Sequence, residues 1–383
     1  MARIVQVRVM NPISGKTNYD CASASVGDYA RAIPCASLSF NSWSRTSPSS
    51  RRLIFLKAAG ILEGYLNCDA PAILSAEVSA TTSWIQVNIV ATVGILRETA
   101  GLGTHIKGDI VPADRPGTTI LIEREPLGVV FAISPWNAPC VPSMLRDYHQ
   151  AVSISYSYRL IGRQLSPSRI IAGWAATCLK RCVLELGGKA PVIVLNDANP
   201  DDAVEAVVFG ALANAGQICM STERVLLHDA VAEPFKQALL RRIEDIKVGN
   251  HEDDPEISMS GLFSSASAKR VQALLGSAVS SGAKLLHGDI STSGPNNTIL
   301  SPHALDGVTP DMEILHKESF GPVISFCSFN TDEEAIGLAN STDFSLYATV
   351  FLQDMMRALD IARKVKEGSC HVNGPTVYIN YST

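Results

Sequence analysis

Apolar and polar residues follow one another along most of the chain in blocks with either strand or helix periodicity. Short continuous apolar runs are typical of buried strands, and apolar residues repeated every three or four positions are typical of helices with one buried face. In the second half these patterns predict strands at residues 192–195, 225–227 and 323–329, and helices at 200–214, 232–246, 266–281, 332–339 and 355–367. Strands that alternate with helices predict an α/β fold.

The first half of the chain has a more varied pattern. Residues 1–10 alternate between apolar and polar and predict a strand, whereas residues 49–79 have helical spacing. Residues 108–128 contain two short β-type runs around an Asp-Arg-Pro-Gly turn, which predicts a β-hairpin. The apolar run 128–133 predicts a buried parallel strand that leads into a loop at 134–137, and loops at such strand ends commonly carry ligands.

The composition of the chain argues against several classes of protein function. The 383 residues carry a net charge of −5 with dispersed lysines and arginines, which argues against a nucleic-acid partner. The apolar runs fall short of the roughly 18 to 20 residues that cross a bilayer, so no membrane span is predicted. The nine cysteines are scattered without a Cys-x-x-Cys pair, which favours a reducing cytoplasm. No metal site is predicted.

Cys219 lies between a predicted helix and a predicted strand, in the segment NAGQICMSTER at residues 214–224. A cysteine with an ordinary pKa is mostly protonated at neutral pH, so a nucleophilic one needs a lowered pKa or a nearby base. Taken alone, any one of nine cysteines is more often a buried structural residue than a nucleophile. The neighbouring motifs decide between the two interpretations.

Five motifs, in order, resemble those of the aldehyde dehydrogenase superfamily. They are PLGVV at 126–130 with ISPWNAP at 133–139, LELGGKAP at 184–191, GQIC at 216–219, ESFGPV at 318–323 and CHVNGPT at 370–376. Glu185 and Cys219 are 34 positions apart, the spacing that the family keeps between its base and its nucleophile. The resemblance covers nearly the whole chain and is greatest to the benzaldehyde, vanillin and salicylaldehyde dehydrogenase branch.

The resemblance implies a role for each matching residue. Cys219 would be the nucleophile, Glu185 the general base that hydrolyses the thioester, and Asn137 an oxyanion donor together with the Cys219 backbone N–H. The implied cofactor is NAD or NADP, and the implied contacts with it are Glu318, Phe320, Trp136 and Gly187. In isolation Asn137 would be interpreted as a turn residue, Glu318 as a solvated charge and Phe320 as a core aromatic residue.

The same resemblance implies an aldehyde dehydrogenase-like architecture in three parts. An incomplete Rossmann-type cofactor-binding domain is expected at residues 1–107 and 129–184, a bridging β-hairpin at 108–128, and an α/β catalytic domain at 185–383. The expected reaction is the oxidation of a small-molecule aldehyde, by resemblance an aromatic one, to a carboxylic acid.

The chain departs from the family pattern between Asn137 and Glu185, which are 48 positions apart where the family has roughly twice as many. The strand with the lysine that binds the adenosine ribose and the Gly-Ser-Thr turn that contacts the pyrophosphate are not found there, so weak cofactor binding is expected. The family's final intersubunit strand is also not found before Thr383, which argues against the homo-oligomer that the family would imply.

These departures leave two hypotheses open. One is an NAD(P)-dependent aldehyde dehydrogenase. The other is a cofactor-impaired relative that acts as a thiol esterase, as a binding protein or as an inactive remnant. A decayed gene, a mispredicted gene model and a repurposed family member would all give the same departures, and the sequence does not choose among them.

Overall fold

The computed structural model describes residues 5–140, 153–155, 167–185, 187–343 and 346–377. Strands and helices are numbered below in chain order. The predicted strand at the N-terminus is confirmed and pairs in antiparallel fashion with the next strand. The predicted helices at 49–79 are also confirmed, and a long helix follows them. These elements are β1 (Val5–Met10), β2 (Thr17–Ser23), α1 (Val26–Trp43), α2 (Pro48–Gly64), α3 (Ala70–Val78) and α4 (Thr82–Leu102).

The predicted hairpin is confirmed as an antiparallel pair, β3 (Asp109–Pro112) with β4 (Thr119–Ile122). Beyond it, β5 (Ser153–Ser155) and β6 (Val183–Glu185) are parallel, with α5 (Pro167–Thr177) between them in sequence. A parallel pair with an intervening helix is the smallest unit of a Rossmann-type domain. The residue boundaries of the three predicted parts stay a prediction.

The second half folds around one seven-stranded sheet with helices on it, as the alternation of strands and helices predicts. The strand order is β15-β14-β7-β8-β13-β12-β9, and each neighbouring pair is parallel except β12 with β9. The strands are β7 (Ala190–Val194), β8 (Thr222–His228), β9 (Lys284–His287), β12 (His303–Asp306), β13 (Val323–Phe329), β14 (Tyr347–Phe351) and β15 (Ser369–Val372), and a separate antiparallel pair consists of β10 (Thr292–Ser293) and β11 (Ile299–Leu300). The helices are α6 (Pro200–Leu212), α7 (Asp229–Glu244), α8 (Ser265–Ser280), α9 (Glu313–His316), α10 (Asp332–Ala339) and α11 (Met355–Lys364).

Two hydrophobic cores support the site. The larger one surrounds the seven-stranded sheet. The smaller one joins α2, α3 and α4 to Ile218, the residue before Cys219. Because α4 packs against this loop, the N-terminal helices help to hold the cysteine in place. In the described part of the chain no single helix is long and apolar enough to cross a membrane, although α3 and α4 together meet that test across a bend of 118°.

The predicted buried strand at residues 128–133 is wrong. Residues 129–131 are exposed, with Phe131 at 62%, and the segment forms no continuous strand. A strand that is buried on both faces needs parallel neighbours and covering helices. Within the described residues of this half, β5 and β6 are the only parallel strands, and they pair with each other and not with residues 128–133.

The two phenylalanines Phe326 and Phe131 should differ in their contribution to stability. Phe326 is 1% exposed in the central sheet, so Phe326→Ala should cost about 3 to 5 kcal/mol of unfolding free energy. Phe131→Ala should change the unfolding free energy by less than about 0.5 kcal/mol because the side chain is already exposed. Urea unfolding of both variants tests this. Equal losses would mean that residues 128–133 are buried after all.

Candidate active site

The loop that carries Cys219 begins with three consecutive residues of positive φ, Asn214, Ala215 and Gly216. Gly216 is required, because a Cβ at this position would lie 2.1 Å from the carbonyl oxygen of Gly321. The chain then turns back through a hydrogen bond from the Ser221 N–H to the Ile218 carbonyl (2.9 Å) and enters β8. The cysteine therefore lies at the tip of a tight turn, in the loop position that the sequence predicts.

Glu185 ends β6, and its carboxylate is hydrogen-bonded to the thiol of Cys219. The glycines that follow Glu185 allow this approach, since a Cβ on Gly188 would lie 3.1 Å from the Cys219 carbonyl oxygen. The structure thus brings together the two residues that the sequence pairs at an interval of 34 positions.

The electrostatic setting of the Cys219 thiol does not lower its pKa. Burial raises the pKa of the Cys219 thiol well above its ordinary value, and the carboxylates of Glu185 and Glu318 raise it further. Both effects disfavour the thiolate, because neither an apolar environment nor a neighbouring negative charge stabilises a second anion. A nucleophilic cysteine needs either a lowered pKa or a nearby base, and this site provides a nearby base, Glu185.

Asn137 is buried and is held from two sides. Its backbone carbonyl accepts a hydrogen bond from the indole Nε1 of Trp84 on α4 (2.9 Å), and its side-chain Nδ2 donates to the Gln217 carbonyl (2.9 Å). The Asn137 amide group therefore lies against the backbone of the Cys219 turn, two residues before the thiol. An amide nitrogen carries two hydrogens, and the contact with Gln217 engages one of them.

Gln217 was not singled out from the sequence, yet it connects this part of the site. Its side chain is 1% exposed, accepts from the Phe263 N–H (2.8 Å) and donates to the Asn214 carbonyl (3.0 Å). Phe263 in turn stacks on Trp136 with ring centroids 4.1 Å apart. One glutamine therefore connects the Cys219 turn to the aromatic residues beside Asn137. Its position two residues before Cys219 is the sequence signal that could have indicated this role.

The proposed cofactor contacts lie together. The Glu318 carboxylate lies above Gly187, where a Cβ would come within 2.7 Å of its Oε1 atom. Phe320 has a φ of +49° and contacts Trp136 edge to face at a centroid distance of 5.9 Å. The Glu318 charge also contributes to the pKa of Cys219, so this group adjoins the thiol.

A buried ion pair between Lys189 and Glu223 lies beneath these loops, with side chains 0% and 2% exposed. Sequence analysis did not find this pair, but a signal exists. Lys189 follows Glu185 by four positions and Glu223 follows Cys219 by four, and the two segments lead into the paired parallel strands β7 and β8. Equal offsets on adjacent parallel strands place such residues side by side. Among the described residues, no group of three or more His, Cys, Asp or Glu is arranged to hold a metal ion.

Known proteins that are similar to this chain are aldehyde dehydrogenases. Vanillin dehydrogenase from a Pseudomonas species is 35% identical over 421 aligned positions, which cover 96% of this chain and 86% of that protein. Salicylaldehyde dehydrogenase from Pseudomonas putida is 29% identical at the same coverage. The alignment spans 421 positions, which is more than the 383 residues of this chain, and this difference fits an internal deletion relative to the longer protein.

The crystal structure of a salicylaldehyde dehydrogenase from Pseudomonas putida complexed with salicylaldehyde superimposes with a TM-score of 0.90 at 30% identity, covering 98% of this chain and 88% of that one. The sequence model of the aldehyde dehydrogenase family matches residues 2–151 and 164–382, and so leaves out part of the segment that is shortened before Glu185. Members of this family are NAD(P)-dependent oxidoreductases that oxidise aldehydes. By its sequence motifs, its fold and these comparisons, the chain belongs to the aldehyde dehydrogenase family.

Proposed function

We propose that this chain oxidises an aromatic aldehyde to the carboxylic acid through a covalent intermediate on Cys219. The observation that carries the proposal is the hydrogen bond between the Cys219 thiol and the Glu185 carboxylate. A thiol next to a base is the arrangement needed for nucleophilic attack on a carbonyl carbon. The aromatic substrate is supported by the similar vanillin, salicylaldehyde and benzaldehyde dehydrogenases.

The proposed reaction has three steps. The Cys219 sulfur attacks the aldehyde carbon as its proton passes to Glu185, and the carbonyl oxygen becomes the oxyanion of a thiohemiacetal. NAD or NADP, which Glu318 and Phe320 would hold, would supply the hydride acceptor for oxidation of the thiohemiacetal to a thioester on Cys219. After Glu185 has released the thiol proton to solvent, it removes a proton from water as the water attacks the thioester, and cleavage of the C–S bond releases the acid and returns this proton to the sulfur.

Asn137 is the proposed oxyanion donor together with the Cys219 backbone N–H. The Trp84 and Gln217 hydrogen bonds hold Asn137 against the cysteine turn, which fixes the donor before the substrate arrives. Fixed donors stabilise developing negative charge more than mobile ones, because they need no reorganisation during the reaction.

The residues at the nicotinamide end of the proposed cofactor site fit that group. A carboxylate such as Glu318 accepts hydrogen bonds from ribose hydroxyls, and the absence of a side chain at Gly187 leaves space for that carboxylate. Phe320 and Trp136 provide an apolar wall of the kind that a planar ring packs against. The expectation against a homo-oligomer and the cytoplasmic location stay predictions, to be tested by light scattering and by cell fractionation.

The substrate class and the nucleophile are tested in one assay. The chain should reduce NAD with vanillin, salicylaldehyde or benzaldehyde at a kcat/KM at least about tenfold above that for lactaldehyde, because the dehydrogenases of aromatic aldehydes are more similar to it than lactaldehyde dehydrogenase is. Cys219→Ser should abolish the reaction, and Cys178→Ser, at an exposed cysteine, is the matched control. A preference for lactaldehyde, or activity retained in Cys219→Ser, would contradict the proposal.

The influence of Glu185 on the thiol predicts a pH effect. Its carboxylate raises the pKa of Cys219, so Glu185→Gln should move the midpoint of Cys219 alkylation by iodoacetamide to lower pH. In the variant, burial and Glu318 still raise the pKa of Cys219, because the substitution removes only the contribution of Glu185. Peptide mapping over a pH series measures the midpoint, and the labelling of exposed Cys178 should not change. An unchanged or higher midpoint would show that Glu185 does not raise the pKa of Cys219.

The segment shortened before Glu185 predicts weak cofactor binding. The family's contacts with the adenosine ribose and pyrophosphate fall in that segment, so calorimetric titration should give a Kd for NAD at least about tenfold above that of the Pseudomonas putida salicylaldehyde dehydrogenase. Part of the segment, residues 156–166, lies outside the described residues. Equally tight binding by the two proteins would show that other residues have replaced the missing contacts.

A further inference from the structure

The carboxylate of Glu223 anchors the loop between the two proposed cofactor contacts, Glu318 and Phe320. Its Oε1 and Oε2 atoms lie 3.0 Å and 2.8 Å from the Ser319 backbone nitrogen, which donates to the carboxylate, and the Phe320 N–H donates to Oε1 (3.2 Å). Lys189 donates to Oε2. One buried side chain thus holds two successive N–H groups of the 318–321 loop.

The loop needs such an anchor because its backbone is in an unfavourable conformation. Phe320 has a φ of +49°, a left-handed value that is uncommon for a bulky residue and persists only when the surroundings impose it. Hydrogen bonds to a charged acceptor are stronger than neutral ones, so a carboxylate is well suited to impose it.

The loop has little freedom to move toward its neighbours. The Glu318 carboxylate lies so close above Gly187 that a Cβ there would be 2.7 Å away, and the Gly321 carbonyl would lie 2.1 Å from a Cβ on Gly216. The loop therefore contacts both the segment after Glu185 and the turn before Cys219. A displacement of less than an ångström would change the position of Glu318 and Phe320 relative to the thiol.

We propose that Glu223 is a positioning residue for the cofactor, which sets Glu318 and Phe320 for the nicotinamide riboside by holding the Ser319 and Phe320 N–H groups. The inference rests on the proposed function, because it assumes the cofactor role of these two residues. Glu223 is 2% exposed and acts through the loop. Lys189 completes the arrangement by neutralising the buried carboxylate.

The test variant is Lys189→Met combined with Glu223→Leu, because leucine removes the acceptor oxygens, and Glu223→Leu alone would leave the Lys189 charge buried without its partner. Glu223→Asp is the second variant, since it keeps the charge beside Lys189 but is one methylene too short to hold both N–H groups. Asp332→Asn is the control, because it breaks an ion pair with Arg357 elsewhere in the fold. Circular dichroism checks that each full-length variant is folded.

Binding is measured with NAD and with nicotinamide mononucleotide, which lacks the adenosine end, by quenching of tryptophan fluorescence. Both test variants should raise the Kd for nicotinamide mononucleotide about tenfold, and Asp332→Asn should not raise it. Hydrolysis of p-nitrophenyl acetate without cofactor should stay within about twofold of the wild-type rate, because it uses Cys219 and Glu185 and not the loop.

An unchanged Kd in a folded test variant would overturn the proposal. So would a parallel loss of binding and ester hydrolysis, failure of both test variants to fold, or no binding of nicotinamide mononucleotide to the wild-type chain. Ester hydrolysis by the wild-type chain reports separately on the proposed function. Its absence would overturn the role of Cys219, and the nucleotide comparison would still decide the role of Glu223.

Discussion

The parallel pairing of β7 with β8 is the constraint on which the site depends. The chain approaching β7 carries Glu185 and Lys189, and the chain approaching and entering β8 carries Cys219 and Glu223. Both contacts between the two segments, thiol to carboxylate and ammonium to carboxylate, join residues 34 positions apart. A slip in strand register would break both at once, so the core that fixes the register also fixes the chemistry.

Burial and the neighbouring Glu185 carboxylate determine the pKa of the Cys219 thiol. The pKa of Cys219 is raised, so at rest the sulfur keeps its proton and is a poor nucleophile until Glu185 accepts that proton. A protonated thiol is also less readily oxidised than a thiolate. In the proposed reaction the Glu185 carboxylate therefore controls both the attack by the sulfur and the later attack by water.

Much of the fold follows from local pattern. Strand β13 (Val323–Phe329) and helix α10 (Asp332–Ala339) have the predicted bounds. Thr331 caps the helix by accepting from the Glu334 N–H, and three acidic residues occupy its first turn, so its start is encoded within a few residues. The pairing of Glu185 with Cys219 could also be predicted, because each residue lies in a motif that resembles the family's and the two are 34 positions apart.

The remaining features depend on tertiary surroundings that a local pattern does not contain. Phe131 has the pattern of a buried strand, but its burial would need neighbouring strands that the described part of that half does not provide. The direction of the Cys219 pKa shift depends on burial and on Glu318, which lies 99 positions further along the chain. Lys189 and Glu223 have equal offsets in the sequence, but their partnership follows only once β7 and β8 are known to be neighbours.

The most direct test of the central claim is to trap the acyl group on its nucleophile. The Glu185→Gln variant would be incubated with p-nitrophenyl benzoate, digested and analysed by peptide mass spectrometry. The account predicts a benzoyl group on Cys219 that persists in this variant and is transient in the wild-type chain, because hydrolysis needs the Glu185 carboxylate. A benzoyl group on another cysteine, or equally fast release from both proteins, would contradict it.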